Sequence, residues 1–238
     1  NGATSVQGPG TISEYTTNSL MNNDIITVVG DLGGCTATSS NIQMEVFASP
    51  TTTLTNNDNG DNTICYGTSV TFTANGAATY EFFVDGTSQG PASATNTFTT
   101  TTLTNGQTIR VDGISNSCLV SQQQTFTVLV NPTVNLFSND TDNTICDGDP
   151  ITFTGTNASQ YEFFINGVSV QGPSTTTTLV NPSIPVSAIN PVYVIGTASN
   201  GCTNTSSTIN VVVNPIPTIT EIKIFAIPTA TSPLVSKS

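Results

Sequence analysis

The sequence predicts an all-β chain made of tandem β-sandwich modules. The first observation is a repeat. Asn62-Thr63-Ile64-Cys65 and Val70-Thr71-Phe72-Thr73 return 81 residues later as Asn143-Thr144-Ile145-Cys146 and Ile151-Thr152-Phe153-Thr154. Tyr80-Glu81-Phe82-Phe83 returns as Tyr161-Glu162-Phe163-Phe164, Cys118 as Cys202 and Pro132 as Pro215. Self-similarity at a fixed period marks a repeat architecture. The second observation is apolar residues alternating with Thr, with turn signals roughly every 8 to 12 residues, the pattern of short sandwich strands. The third is that Gly, Pro and β-branched residues interrupt every window long enough for a helix.

Residues 1–49 read as the second half of a module. Gly8-Pro9 matches Gly90-Pro91 and Gly172-Pro173, and Leu20 and Leu103 each precede a Cys by 15 residues. Strands are expected at 25–29 and 42–46, with Ser49-Pro50 as the exit, like Asn131-Pro132 and Asn214-Pro215. Pro fixes its own φ and lacks an amide donor, so it suits a stiff joint. Asn1-Gly2 matches the mid-module Asn166-Gly167, so an excerpt of a longer polypeptide is expected. Residues 50–131 form a whole module. Val70, Phe72 and Ala74 alternate with Thr in a half-buried strand. A second strand at 80–84 runs into an Asp85-Gly86 hairpin turn, and a third at 97–103 into Asn105-Gly106. Strands at 109–114 and 125–130 complete the module around Cys118. Residues 132–214 repeat the plan with one change. Leu179 to Cys202 spans 23 residues against 15 elsewhere, and the extra eight fall at 183–190, an expected enlarged loop or added hairpin. Residues 215–238 depart from the repeat. A strand at 220–227 would begin a divergent module or pair with a partner by β-addition.

Composition narrows function. Lys and Arg number 3 against 15 Asp and Glu, a net charge of −12. That argues against nucleic acid and anionic membrane surfaces, which need basic residues. No apolar run is long enough to span a bilayer. With no His there is no Ser-His-Asp or Cys-His pair, and the Glu residues are scattered, so no catalysis is expected.

Five Cys imply an oxidising compartment. The favoured pairs are Cys65–Cys118 and Cys146–Cys202, one per module, each worth about 4 kcal/mol in the chain-entropy model. Cys35 then loses its partner to truncation. A rival pairing joins neighbouring modules, Cys35–Cys65 and Cys118–Cys146. Acidic runs offer a calcium site at Asp58 and Asp61 and at Asp140, Asp142, Asp147 and Asp149, because hard cations take oxygen ligands from such loops. The alternative role for these residues is turn formation. Adjacent Phe residues face opposite sides of a strand. Phe83 and Phe164 therefore point away from the core, either as contacts for a sugar or protein or as side chains covered by the next hairpin. Asn139, Asn157 and Asn204 begin Asn-x-Ser/Thr sequons.

The Asn-Thr-Ile-Cys start, the Tyr-Glu-Phe-Phe strand, the late Cys and the Val-Asn-Pro joint resemble the Ig-like repeats of very large surface adhesins of gliding Bacteroidota, the SprB-type gliding-motility adhesins among them. The resemblance covers residues 1 to about 220. It implies immunoglobulin-like modules in an extended array, type IX secretion, display at the cell surface, and a structural stalk serving adhesion or gliding. It implies neighbouring modules as the main partners, with cell-surface or secretion-machinery proteins engaged through 220–238. Two other functions stay open: an array that binds a glycan or protein ligand, and an accessory region of a larger secreted enzyme.

Overall fold

The computed structural model describes residues 4–58, 60–180, 182–221 and 223. Every regular element among them is a strand. The chain divides into two compact units between Leu129 and Val130. The strand expected at 220–227 lies mostly outside the described residues, as does Asn1-Gly2.

The N-terminal part holds β1 (Ile25–Ile26), β2 (Val29–Leu32), β3 (Cys35–Thr38) and β4 (Ile42–Gln43). They pair as β1 with β4 and β2 with β3, both antiparallel. The expected strand at 25–29 is interrupted where Val28 N–H donates to Ser39 Oγ at 2.9 Å, and that at 42–46 stops short of Val46, whose N–H donates to Asn22 Oδ1 at 3.2 Å. Every residue of β2 and β3 is exposed, Leu32 at 86%.

The first whole module contains β5 (Thr53–Asn56), β6 (Thr63–Cys65), β7 (Val70–Asn75), β8 (Thr79–Val84), β9 (Thr87–Ser88), β10 (Thr97–Thr100), β11 (Thr108–Ser115), β12 (Cys118–Thr125) and β13 (Thr127–Leu129). One sheet runs β10-β7-β5 and the facing sheet β12-β11-β8-β9. Past Thr125 the last strand leaves β11 and pairs in parallel with β6, Leu129 opposite Cys65. The period-two pattern is realised residue by residue: Val70, Phe72 and Ala74 are buried while Thr71 and Thr73 face outward. The inner faces meet over Phe72, Ile109, Val111 and Phe126, with Phe72 and Phe126 edge to face at 5.4 Å. Asp85 and Gly86 turn the β8–β9 hairpin with φ of 47° and 80°, the left-handed pair that a two-residue primed turn requires. Leu103 is buried but lies beyond β10, which ends at Thr100.

The second module repeats this with β14 (Asn135–Ser138), β15 (Thr144–Cys146), β16 (Thr152–Thr156), β17 (Gln160–Ile165), β18 (Val168–Ser174), β19 (Thr178–Val180), β20 (Ser187–Thr197), β21 (Thr203–Thr205) and β22 (Ile209–Asn214). One sheet is β14-β16-β19; the other is β15-β22-β20-β17-β18, with β21 also on β20. β15 and β22 again pair in parallel, Cys146 opposite Asn214. Phe153, Phe163, Val192, Val194 and Val211 are fully buried between the sheets.

In both modules a tyrosine clamps the turn before its own strand. Tyr80 Oη accepts from Ala77 N–H at 3.0 Å and donates to Ala77 O at 2.8 Å; Tyr161 does the same with Ala158. Beside each clamp a strand glycine leaves room for the incoming chain. A Cβ on Gly113 would clash with Thr52 and lie 2.9 Å from Ala77 Cβ. On Gly196 it would lie 2.6 Å from Val134 Cγ2 and 2.7 Å from Ala158 Cβ. Gly113→Ala and Gly196→Ala are each expected to destabilise their own module by about 1–3 kcal/mol through overpacking. Gly172→Ala, where nothing lies within 4 Å, is expected to be neutral. Urea denaturation of the three variants checks this.

Candidate functional site

The cysteines correct the sequence expectation. Cys65 and Cys202 are each disulfide-bonded, and Cys35, Cys118 and Cys146 are free thiols. Neither Cys65–Cys118 nor Cys146–Cys202 forms, and the rival pairs Cys35–Cys65 and Cys118–Cys146 are absent too. The reason is the path of the last strand. Cys118 opens β12 opposite Ser115, and the chain runs on extended to Leu129, which lies beside Cys65. At about 3.3 Å per residue the two cysteines of the module stand roughly 30 Å or more apart. A disulfide needs Cα atoms within about 7 Å. The same path separates Cys146, opposite Asn214, from Cys202 in the hairpin before β21.

The acidic residues shape turns. Asp61 Oδ1 accepts from Thr63 N–H and Asp142 Oδ1 from Thr144 N–H, both at 2.9 Å. Asp140 Oδ1 accepts from Thr144 N–H at 3.3 Å, and Asp149 Oδ2 from Cys146 N–H at 3.0 Å. Asn62 and Asn143 between them take φ of 53° and 56°, a left-handed bend that Asn tolerates better than most residues. That accounts for the Asp-Asn-Thr start of both modules. Asp147 lies in the following turn, its N–H donating to Asn214 O at 2.8 Å. Among the described residues Asp58 Oδ2 and Asn143 Oδ1 have no hydrogen-bond partner, but they fall at different repeat positions and define no repeated site. Among the described residues no group of three or more His, Cys, Asp or Glu is gathered for a metal ion.

The outward phenylalanines are both half-buried, each against a side chain of the neighbouring strand. Phe83 lies opposite Arg110 on β11, whose guanidinium carbon is 3.9 Å from the ring centroid. Arg110 Nη1 donates to both oxygens of the buried Asp112 at 2.6 Å, and Ser121 Oγ donates to Asp112 Oδ1. Phe164 lies opposite Tyr193 on β20, the rings stacked at 4.9 Å and 4°. Arg110 and Tyr193 occupy the same repeat position, so a flat side chain lies on the Phe ring in each module. The repeat alignment carried that signal.

The insertion at 183–190 is split between a loop and an extension of β20 that carries a register shift between Ser187 and Asn190. Ile184 is buried in the core and Asn190 has no exposure at all. Asn190 Nδ2 donates to Pro185 O at 3.1 Å and Val211 O at 3.2 Å, while its Oδ1 accepts from Asn166 Nδ2 at 3.0 Å. One fully satisfied amide thus anchors the insertion; a lone Asn at the end of a mostly apolar stretch gave no hint of it. Pro182, Ser183 and Ile184 face Asp147 and Asp149 across a groove of about 270 Å³. Of the sequon residues, Asn204 already spends its Nδ2 on Pro132 O and Asn139 its Oδ1 on Thr152 N–H.

These two units are immunoglobulin-like β-sandwiches. Residues 49–132 match the family model described as the CHU_C-associated Ig-like domain. No curated protein matches the chain. Among solved structures the chain is similar to the fibronectin(III)-like modules of Clostridium thermocellum CbhA, at 12% identity over 68% of this chain and 95% of that one, with a TM-score of 0.38. It is similar to immunoglobulin domains 1–4 of Sidekick-1, at 16% identity over 64% and 45%, TM-score 0.27. It is also similar to the ectodomain of mouse nectin-like molecule 4, at 10% identity over 82% and 83%, TM-score 0.29. No helix among the described residues is long and apolar enough to cross a membrane.

Asn190→Ala is expected to cost about 2 kcal/mol, because it leaves the carbonyl of the fully buried Val211 without its donor. Amide exchange in residues 182–186 should accelerate with it. A loss under 1 kcal/mol with unchanged exchange would show that the insertion is anchored elsewhere.

Proposed function

We propose that this chain is a segment of the stalk of a secreted cell-surface adhesin, serving adhesion or gliding motility after type IX export. The observation that carries the reading is the same sandwich built twice in succession, with the outward-facing ring at each repeat position already covered from within its own module. A module whose distinctive side chains are spent on its own folding is suited to being repeated as a spacer. The Ig-like match over residues 49–132 and a disulfide fit an extracellular protein. Neighbouring modules are the main partners in this reading, and the segment 220–238 is offered to cell-surface or secretion-machinery proteins.

One observation favours a second reading, a ligand-binding array: the groove where the insertion meets the acidic turn of the second module. A glycan array distinguishes the two. Specific binding that is lost on deleting 183–186 or on Phe164→Ala supports a binding array, and silence supports the stalk.

The stalk predicts the form of the native protein. Purified intact from its source, it is expected to run many times larger than 24.6 kDa and to appear in electron micrographs as a thin beaded filament. A compact particle near that mass would overturn the reading.

A further inference from the structure

Asparagine followed by glycine is a chemically labile pair. Asn is thermolabile, and a glycine has no side chain to hinder attack by its own nitrogen on the preceding carboxamide. Four such pairs lie wholly within the described residues: Asn75-Gly76, Asn105-Gly106, Asn166-Gly167 and Asn200-Gly201. Attack needs a carboxamide free to turn toward the next nitrogen, and a nitrogen whose proton is not held in a hydrogen bond. Three of the pairs lack at least one of these. Asn105 Oδ1 accepts from Val128 N–H at 3.0 Å, and Gly106 N–H donates to Phe126 O at 2.9 Å. Asn200 Nδ2 donates to Val130 O and its Oδ1 accepts from Cys202 N–H, while Gly201 N–H donates to Ala198 O, all at 3.0 Å. Asn166 Nδ2 donates to Asn190 Oδ1 at 3.0 Å. Asn75 meets both conditions. It is the exposed last residue of β7, and among the described residues neither its carboxamide nor Gly76 N–H has a hydrogen-bond partner.

The surroundings of this pair leave its main chain no slack. Gly76 takes φ of 88°, and a Cβ on it would clash with Thr51 O of the incoming chain. The next residue, Ala77, is the one that Tyr80 Oη clamps at both N–H and C=O. Ala78 N–H donates to Ile114 O at 3.1 Å, which ties the turn to β11. The second module has Thr156-Asn157-Ala158 at the matching positions. Thr stands where the first module has Asn75, and the nitrogen that would attack Asn157 donates to Tyr161 Oη at 3.0 Å. The lability therefore belongs to the first module.

We propose that Asn75-Gly76 is a self-modifying site, where Asn75 converts without an enzyme to aspartate and isoaspartate, and that the isoaspartate loosens the entry turn of the first module. Gly76 nitrogen gives up its proton and attacks Asn75 Cγ. The new N–Cγ bond forms, the Cγ–Nδ2 bond breaks, and Nδ2 takes up a proton and leaves as ammonia. A cyclic imide remains. Water then opens either of its two C–N bonds. Opening at Cγ gives aspartate. Opening at the main-chain carbonyl gives isoaspartate, whose main chain runs on through Cβ and Cγ and so gains one methylene. Nothing is oxidised or reduced: one amide and one water become a carboxylate and ammonium. The added methylene drives Gly76 against Thr51 O and draws Ala77 away from Tyr80 Oη.

The 238-residue chain is incubated at mildly alkaline pH in water enriched in heavy oxygen, folded in one sample and unfolded in urea in another. It is then cut with pepsin at low pH and mapped by mass spectrometry. In the folded chain Asn75 is expected to take up heavy oxygen about tenfold or more faster than Asn105, Asn166 or Asn200, because those three must wait for a local opening. In urea the four rates should converge. Comparable rates in the folded chain, or a lead for Asn75 that persists undiminished in urea, would overturn the site. Asn75→Thr, which installs the second module's residue, should abolish uptake there. The aged chain is separated from the fresh one by its added negative charge. Isoaspartate at 75 should accelerate amide exchange at Ala77 and Ala78 and lower the urea midpoint of the first module. Asn75→Asp, which adds the charge without the methylene, should do neither. Unchanged exchange and midpoint in the isoaspartyl chain, or equal losses in Asn75→Asp, would overturn the loosening.

Discussion

The last strand of each module takes two partners, and much else follows from that. It is the antiparallel neighbour of β11 or β20 and the parallel neighbour of β6 or β15, in succession in the first module and side by side along β22 in the second. A parallel pair cannot be closed by a tight turn and needs a long crossover. Here the crossover is the whole module, from the first short strand to the last. The pairing therefore forms only when both sheets are in place, and it brings Phe126 and Val128, or Val211 and Val213, into the space between them. It also fixes the cysteines: a strand long enough to meet both partners spans the module, so whatever lies at its two ends cannot meet.

How much of this the sequence disclosed differs between features, for physical reasons. Strands such as β7 and β16 were legible because burial on one face imposes a period of two, and Val70, Phe72 and Ala74 display it. The turns at Asp85-Gly86 and Asn166-Gly167 were legible because few residues accept a positive φ. The disulfide was not. Cys65 and Cys118 are close enough in sequence to suggest a loop closed inside one module, but separation along an extended strand is separation in space. The covering of Phe83 and Phe164 was half legible: the outward direction follows from the strand, while the identity of the cover depends on which strand pairs alongside. Asn190 was hidden, because a buried amide is indistinguishable in sequence from the many exposed ones.

The polar composition has a structural logic. Thr supplies the outward faces of strands, where a β-branched side chain fits the pleat. Asn and Asp supply the bends, with side-chain oxygens standing in for ladder carbonyls, as at Asp61 and Asp142. With polar positions filled this way, long charged side chains are scarcely needed, and the one ion pair within a module, Arg110 with Asp112, serves to seat a guanidinium on a ring.

That ion pair has a consequence for how such a protein is degraded. Arg110 is the sole basic residue before Lys223. It lies in the middle of β11, hydrogen-bonded on both sides, with Val111 buried next to it. A protease that cuts after Lys or Arg must wait for the sheet to open before it can fit this bond into its cleft, since cleavage needs an extended, unpaired segment. Where reclosing is faster than cutting, the rate of that single cut measures the population of opened modules. The chain thus carries its own gauge of unfolding, read as one scission in a polypeptide otherwise almost free of such sites.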